Sequence, residues 1–371
     1  MGKVIAEFLT HRDPRIRADA GNALARLRAG DGNEQLRKLL TSDSDPIVVA
    51  NAARVLGATE HKAAFDGLLD RALKDTDLRV RVIAIRALAA LKDSRAANPL
   101  LTRAQNKTLQ SLHTEPGAAN EALEIATTLG RLLEGSENVE ALEWLLRARN
   151  GFKGTASEIE IALSRISPAA YLSKTGAGML NGRKAQAALM LNWKSGSSLA
   201  QGLGAIAALP DSTSNKTTLA GQALEILRAM LDYSNMKTSV TVHPEYAIPD
   251  VLRALAAFKP GDLQNVLFSH LNEPDVIIRA TAAELLAELP PGEAIAKSLI
   301  TALPTALNDK ELNDAALAVL DALGKQKTPA ANEAIKSALD SSDHLVRRRA
   351  VALLKANGAG DFSARIGTVQ P

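Results

Sequence analysis

The residue types that ordinarily carry chemistry are sparse in this chain. Cysteine is absent, which removes disulfides, thiolate zinc sites, iron–sulfur clusters and thiol nucleophiles together. Histidines stand at His11, His61, His113, His243, His270 and His344. No two share the spacing of ligands on one helical face, and there is no His-Glu-x-x-His. Gly202-Leu203-Gly204-Ala205-Ile206-Ala207 imitates a dinucleotide-binding turn, but no strand precedes it to aim the glycines at a pyrophosphate. The chain has neither a phosphate loop nor a Gly-x-Ser-x-Gly elbow. The reading is therefore no enzyme: no catalytic residues, no cofactor and no metal ligands. Two glycosylation-type triplets, Asn106-Lys107-Thr108 and Asn215-Lys216-Thr217, carry no weight without evidence of secretion.

What recurs instead is charge at a fixed spacing. Arg17, Arg81, Arg279 and Arg347 each follow an aspartate by four residues: Asp13, Asp77, Asp275 and Asp343. Asp13, Asp45 and Asp77 are 32 apart, whereas Asp275, Asp309 and Asp343 are 34 apart. After Asp13 the apolar residues Ile16, Ala20, Leu24 and Leu27 fall on one helical face. Equivalent series follow the other aspartates, including Ala52 and Leu56, Ala84, Leu88 and Leu91, and Ala282, Leu286 and Leu289. A second apolar run precedes each aspartate, so the spacing predicts helix, short turn, helix. The aspartate suits the N-cap of the second helix, and Pro14 and Pro46 suit its first position. Asp309, leading to Leu312, Ala316, Leu320 and Leu323, is read the same way, and Glu115-Pro116 opens a weaker unit that lacks the arginine.

These units resemble HEAT repeats, whose second helix opens with Asp-Pro, then Val and Arg, then Ala and Leu. The resemblance implies an all-α fold, an α-α superhelix of about ten helix pairs. One solenoid is expected over 1–358, regular over 1–133 and 263–358 and degenerate over 134–262, with 359–371 a linker or tail. It also implies that the repeated arginine pairs with an aspartate of a neighbouring unit, among Asp13, Asp45, Asp77, Asp275 and Asp343, as a structural ladder and not a phosphate row. In such arrays the second helices line the concave side, which makes Arg15, Asn22, Arg54, Arg79 and Arg86 candidates for partner binding. Arg54 and Arg86 are expected to form a modest basic strip. The segment Tyr233 to Pro249 is read either as a flexible connection or as a hairpin or capping loop folded over the groove, which would add His243 and Tyr246 to the candidates.

Composition sets the remaining bounds. Lys plus Arg is 44 against 41 Asp plus Glu, a formal charge of +3, so global charge names no partner. Aromatic residues are only 3%, which leaves few rings to stack on bases. A groove of mixed polarity fits a protein or peptide partner better than nucleic acid; a nucleic-acid-binding or DNA-repair array is the alternative. No run approaches the roughly 20 apolar residues of a membrane span, and the opening Met1-Gly2-Lys3-Val4-Ile5-Ala6-Glu7 lacks a signal-peptide core. The expected protein is soluble, and cytoplasmic unless a signal peptide has been removed. Its last repeats and the tail from Lys355 to Pro371 resemble the amino-terminal part of bacterial proteins in which HEAT repeats precede a cyclophilin-type peptidyl-prolyl isomerase. That resemblance implies a client- or partner-binding module, since the isomerase motifs are absent.

Overall fold

The computed structural model describes residues 1–106, 109–152, 156–173, 193–234, 244–309 and 311–367. Every regular element among them is helical. The chain divides into two compact units, Met1–Ile226 and Leu227–Pro371.

In the first unit, α1 (Gly2–Glu7), α2 (Pro14–Leu27), α3 (Asn33–Ser42), α4 (Pro46–Ala58), α5 (Phe65–Lys74), α6 (Leu78–Leu91), α7 (Ala97–Gln105), α8 (Leu109–Thr114) and α9 (Pro116–Leu132) form successive pairs. They continue through α10 (Val139–Gly151), α11 (Ser157–Ile166) and α12 (Trp193–Ala205), and α13 (Lys216–Ser234) crosses into the second unit. Second helices stack on second helices, in the order α2, α4, α6, α9, α11, α12, while α3, α5 and α7 form the other layer. Each pair exposes an apolar stripe that only the next pair covers, so the core runs along the stack. Leu24, Leu56, Leu88 and Leu129 are all fully buried in it.

The second unit repeats the plan with α14 (Ile248–Phe258), α15 (Leu263–Ser269), α16 (Val276–Leu286), α17 (Glu293–Leu307), α18 (Asp314–Gln326), α19 (Pro329–Ser337) and α20 (His344–Ala356). Here α14, α16, α18 and α20 stack in turn. Within the stretch expected to be degenerate, Lys184 to Leu191, whose composition suits a helix, lies outside the described residues.

Local chemistry sets the helix starts. Asp13 accepts from Arg15 N at 2.9 Å, Asp45 from Ile47 N at 2.8 Å, Asp77 from Arg79 N at 2.8 Å, Asp275 from Ile277 N at 2.8 Å and Asp343 from Leu345 N at 2.7 Å. Each satisfies an amide that the first turn leaves free. Asp309 departs from the expectation. Its helix begins only at Asp314, behind Asn313, because the Asp309 carboxylate is taken by Arg279 at 2.5 and 2.6 Å. Gly358, with φ of +70°, follows the end of α20; Ala359 N bonds back to Leu354 O at 2.9 Å, a glycine-terminated C-cap.

Ala84 and Ala282 on the repeated apolar face are fully buried in the core. Close backbone approaches also fall at two glycines. A Cβ on Gly57 would meet Cα and Cβ of Ala87 at 2.8 Å, and one on Gly130 would meet Cα of Ala162 at 2.9 Å. At these points α4 and α6, and α9 and α11, touch with no room for a methyl group. Gly202 has a similar role: a Cβ there would run into the Tyr171 hydroxyl, so this glycine serves packing.

Candidate functional site

The repeated arginines come first, because their partners decide whether they can meet a ligand. Arg17 donates through Nε and Nη2 to Asp43 at 2.8 and 3.0 Å, and through Nη1 to the carbonyls of His11 and Arg12. Burial would raise the Asp43 carboxyl, but the hydrogen bond from Arg17 and backbone amides hold it below the usual range. Arg81 donates to Glu121 at 3.1 and 3.3 Å, and Arg103 grips the other oxygen of the same carboxylate. Glu121 is 1% exposed. Burial pushes it up, yet the two guanidiniums outweigh this and hold its pKa down. A structural ladder is thus present, but its rungs differ from those expected. The capping aspartates turn an oxygen toward the amides of their own helix, and the arginine finds another acid of the next helix pair. Asp43, Glu121 and Asp309 fill that place.

The outward face of the second helices carries the candidate contact residues. Arg15 is exposed at the start of α2. Arg54 on α4 reaches back to Asn22 on α2, Nη1 to Oδ1 at 3.3 Å. Arg86 on α6 donates to Glu124 on α9 at 3.1 and 2.5 Å. Arg79 folds onto its own cap, 2.9 Å from Asp77 Oδ2; mainly through that hydrogen bond, the Asp77 pKa falls to about 2. Ile47, on the row between Arg15 and Arg79, is 51% exposed. The row is therefore polar with one apolar knob. The basic strip expected of Arg54 and Arg86 is partly cancelled, since Glu124 answers the Arg86 charge.

Cross-helix pairing also runs through the second unit. Arg253 on α14 bonds Thr281 on α16 at 3.1 Å, Lys325 on α18 reaches the Ala287 carbonyl at 3.0 Å, and Arg349 on α20 pairs with Asp321 on α18. Within Arg347-Arg348-Arg349, Arg347 is buried and its two neighbours are exposed, so they make no single patch. Tyr246 lies in a short 3-10 turn, Pro244–Ala247, and is 45% exposed. His243, expected beside it, falls outside the described residues, as does Thr238 to Val242.

Sequence reasoning passed over one buried cluster. Glu160 on α11 accepts from the Tyr171 hydroxyl at 2.9 Å and lies 2.6 Å from Arg149 Nε. Burial drives its pKa up, against the pull of Arg149 and Tyr171, and burial drives the Tyr171 pKa up as well. The only sequence signal was a glutamate on the apolar side of a helix. Among the described residues no three His, Asp or Glu side chains converge as a metal-binding group, and no helix is long and apolar enough to cross a membrane.

With this geometry in place, residues 3–89 and 33–114 match the family model for HEAT repeats. No curated protein sequence matches the chain. Among solved structures, the chain is similar to the complex of CpcE and CpcF of phycocyanin lyase from Nostoc sp. PCC7120, at 19% identity over 70% of this chain and 94% of that one, with a TM-score of 0.42. It is similar to importin beta, at 13% identity over 96% of this chain and 54% of that one, with a TM-score of 0.47. Human deoxyhypusine hydroxylase in complex with glycerol aligns at 18% identity over 91% of this chain and 100% of that one, with a TM-score of 0.30. Among the described residues the fold is all-helical, and the matched repeats make it HEAT-like.

Proposed function

We propose that this chain is a non-enzymatic protein-binding scaffold, whose contact surface is the second-helix row of Arg15, Asn22, Ile47, Arg54, Arg79 and Arg86. The observation that carries the reading is that Arg15, Ile47, Arg54, Arg79 and Arg86, drawn from three consecutive repeats, are exposed, with Asn22 half-buried beside Arg54, on helices fixed by buried packing. Rigid presentation of that kind suits a folded or extended protein partner, because little side-chain and backbone freedom is lost on contact. The candidate guanidiniums are in part answered internally, Arg86 by Glu124 and Arg79 by Asp77. That lowers their value as phosphate contacts and favours a protein partner over nucleic acid. Attachment to a peptidyl-prolyl isomerase in a longer protein rests on the tail resemblance alone, and the comparisons add nothing to it.

The test is affinity capture with the intact chain, repeated with Arg54→Glu and Arg86→Glu combined. Loss of the captured protein supports the row as its docking surface, and equal capture removes it. Duplex DNA serves as the control ligand: tight binding that falls steeply with salt would point to phosphate contacts and to the nucleic-acid alternative.

A further inference from the structure

The repeat of the second unit is broken at α18. Asp275 and Asp343 cap their helices at once, α16 starting at Val276 and α20 at His344. Asp309 does not, and α18 starts only at Asp314, so about one turn of 3.6 residues is missing from its beginning. A cleft of about 570 Å³ lies at this place, lined by the turn into α18 and the turn into α20. That size is within the range of about 300–1,000 Å³ that ligand clefts occupy. Ala306, Ala316 and Val346 line it as buried apolar residues, and Leu312 lines it while 49% exposed.

The charge in the cleft has one sign. Asp309, Glu311, Asp314 and Asp343 line it, and no described residue lining it is basic. Asp309 is answered by Arg279. Asp343 accepts only from neutral donors, the Asn313 amide at 2.8 Å and the first backbone amides of α20. Glu311 and Asp314 are exposed, and neither forms an ion pair among the described residues. The surrounding surface narrows what such a cleft can receive. An exposed aliphatic side chain stands where each of three stacked helices begins: Ile277, 42% exposed, in the first turn of α16, Leu312 just ahead of α18, and Leu345, 44% exposed, in the first turn of α20. Packed helices lie about 8–10 Å apart. A chain in the polyproline conformation presents the same face every three residues, about 9 Å, so an extended segment crossing these helix starts sets one side chain on each.

We propose that the starts of α16, α18 and α20 form a docking surface for an extended segment of a partner protein that carries a Lys or Arg among aliphatic residues. The cation enters the cleft between Glu311, Asp314 and Asp343, and the aliphatic side chains rest on Leu312 and its neighbours in the row. Arginine suits the cleft best, because its forked donors match a carboxylate, and an acidic segment is repelled. The surface lies within the unit Leu227–Pro371 and does not rest on the second-helix row of the first unit.

The probe is a phage-displayed library of random linear peptides panned on the full-length chain, with the enriched peptides synthesised and measured by fluorescence anisotropy. The expected peptides carry Lys or Arg within a few residues of Leu, Ile or Val. Their affinity should fall about tenfold on Glu311→Gln combined with Asp314→Asn, since each lost contact is an ion pair open to solvent, and should also fall on Leu312→Ser. All three side chains are exposed, so the variants are expected to keep the far-ultraviolet circular dichroism of the wild type. Arg54→Glu with Arg86→Glu should leave the affinity unchanged; a loss there would place the peptides on the row of the first unit and overturn the proposal. Failure to enrich any peptide, enriched peptides without a basic residue, or affinity indifferent to the acidic pair or to Leu312 would overturn it as well. So would calcium ions that bind the chain without peptide and no longer bind the acidic double variant, since the carboxylates would then form a cation site.

Discussion

Glu121→Gln tests the ladder where it is most buried. The Glu121 side chain is 2% exposed and faces Arg81 and Arg103, which are 15% and 23% exposed. Removing one member of a buried ion pair costs about 3–5 kcal/mol, because the other charge stays buried and unanswered. Both arginines retain carbonyl acceptors, Arg81 at Asp75 O and Thr76 O and Arg103 at Leu73 O, and the glutamine oxygen still accepts. The expected loss is therefore at the lower end, about 3 kcal/mol. The control is Glu124→Gln, whose own side chain is 10% exposed but whose partner Arg86 is 65% exposed; with the arginine still solvated by water, the expected loss is about 1 kcal/mol. Urea unfolding followed by far-ultraviolet circular dichroism at neutral pH gives both values. The pH dependence has a definite sign. The folded-state pKa of Glu121 is held down, so its contribution is present above the unfolded value of about 4.3 and is lost as pH falls through the folded value. The difference between wild type and Glu121→Gln should close in strong acid. Equal losses for the two variants, or a gap that does not depend on pH, would refute the reasoning.

Gly57→Ala gains about 1 kcal/mol of helix propensity but places a methyl 2.8 Å from Ala87 Cα, an overpacking cost of about 1–3 kcal/mol. A lowered calorimetric midpoint is expected, and a raised one would show that α4 and α6 can separate without cost. Asp45→Ala removes the acceptor for Ile47 N and Val48 N and should destabilise by about 1 kcal/mol, read from the urea midpoint. Arg349→Ala breaks a pair to Asp321 in which both side chains are nearly half exposed, so its thermal midpoint should stay within about a degree or two of wild type.

The parts of the fold that depend on local chemistry were legible in the sequence. Aspartate at the repeat spacing, just ahead of an apolar helical stripe, marks a helix start wherever the amides of the first turn need an acceptor, and Asp13, Asp45, Asp77, Asp275 and Asp343 all cap in this way. Asp309 has the same spacing and a different fate, because a buried guanidinium thirty residues away in sequence competes for its oxygens. The arginine partners were not legible for the same reason. Asp43 and Glu121 lie 26 and 40 residues from Arg17 and Arg81, and only three-dimensional stacking selects them over the cap aspartates. The repeat spacing put Arg54 and Arg86 at equivalent positions, but the neutralising reach of Glu124 to Arg86 depends on where α9 packs. Nothing in the sequence singles out Gly57 and Gly130, and only their neighbours show why no larger residue fits.

The central claim is that a partner is gripped by the outward row of the second helices. The most direct measurement is hydroxyl-radical footprinting of the chain with its affinity-captured protein bound. Protection should appear at Arg15, Ile47, Arg54, Arg79 and Arg86, with the exposed first-helix residues Lys38, Asp66 and Lys74 left as reactive as in the free chain. Protection concentrated on Lys38, Asp66 and Lys74, with the row unchanged, would contradict the account.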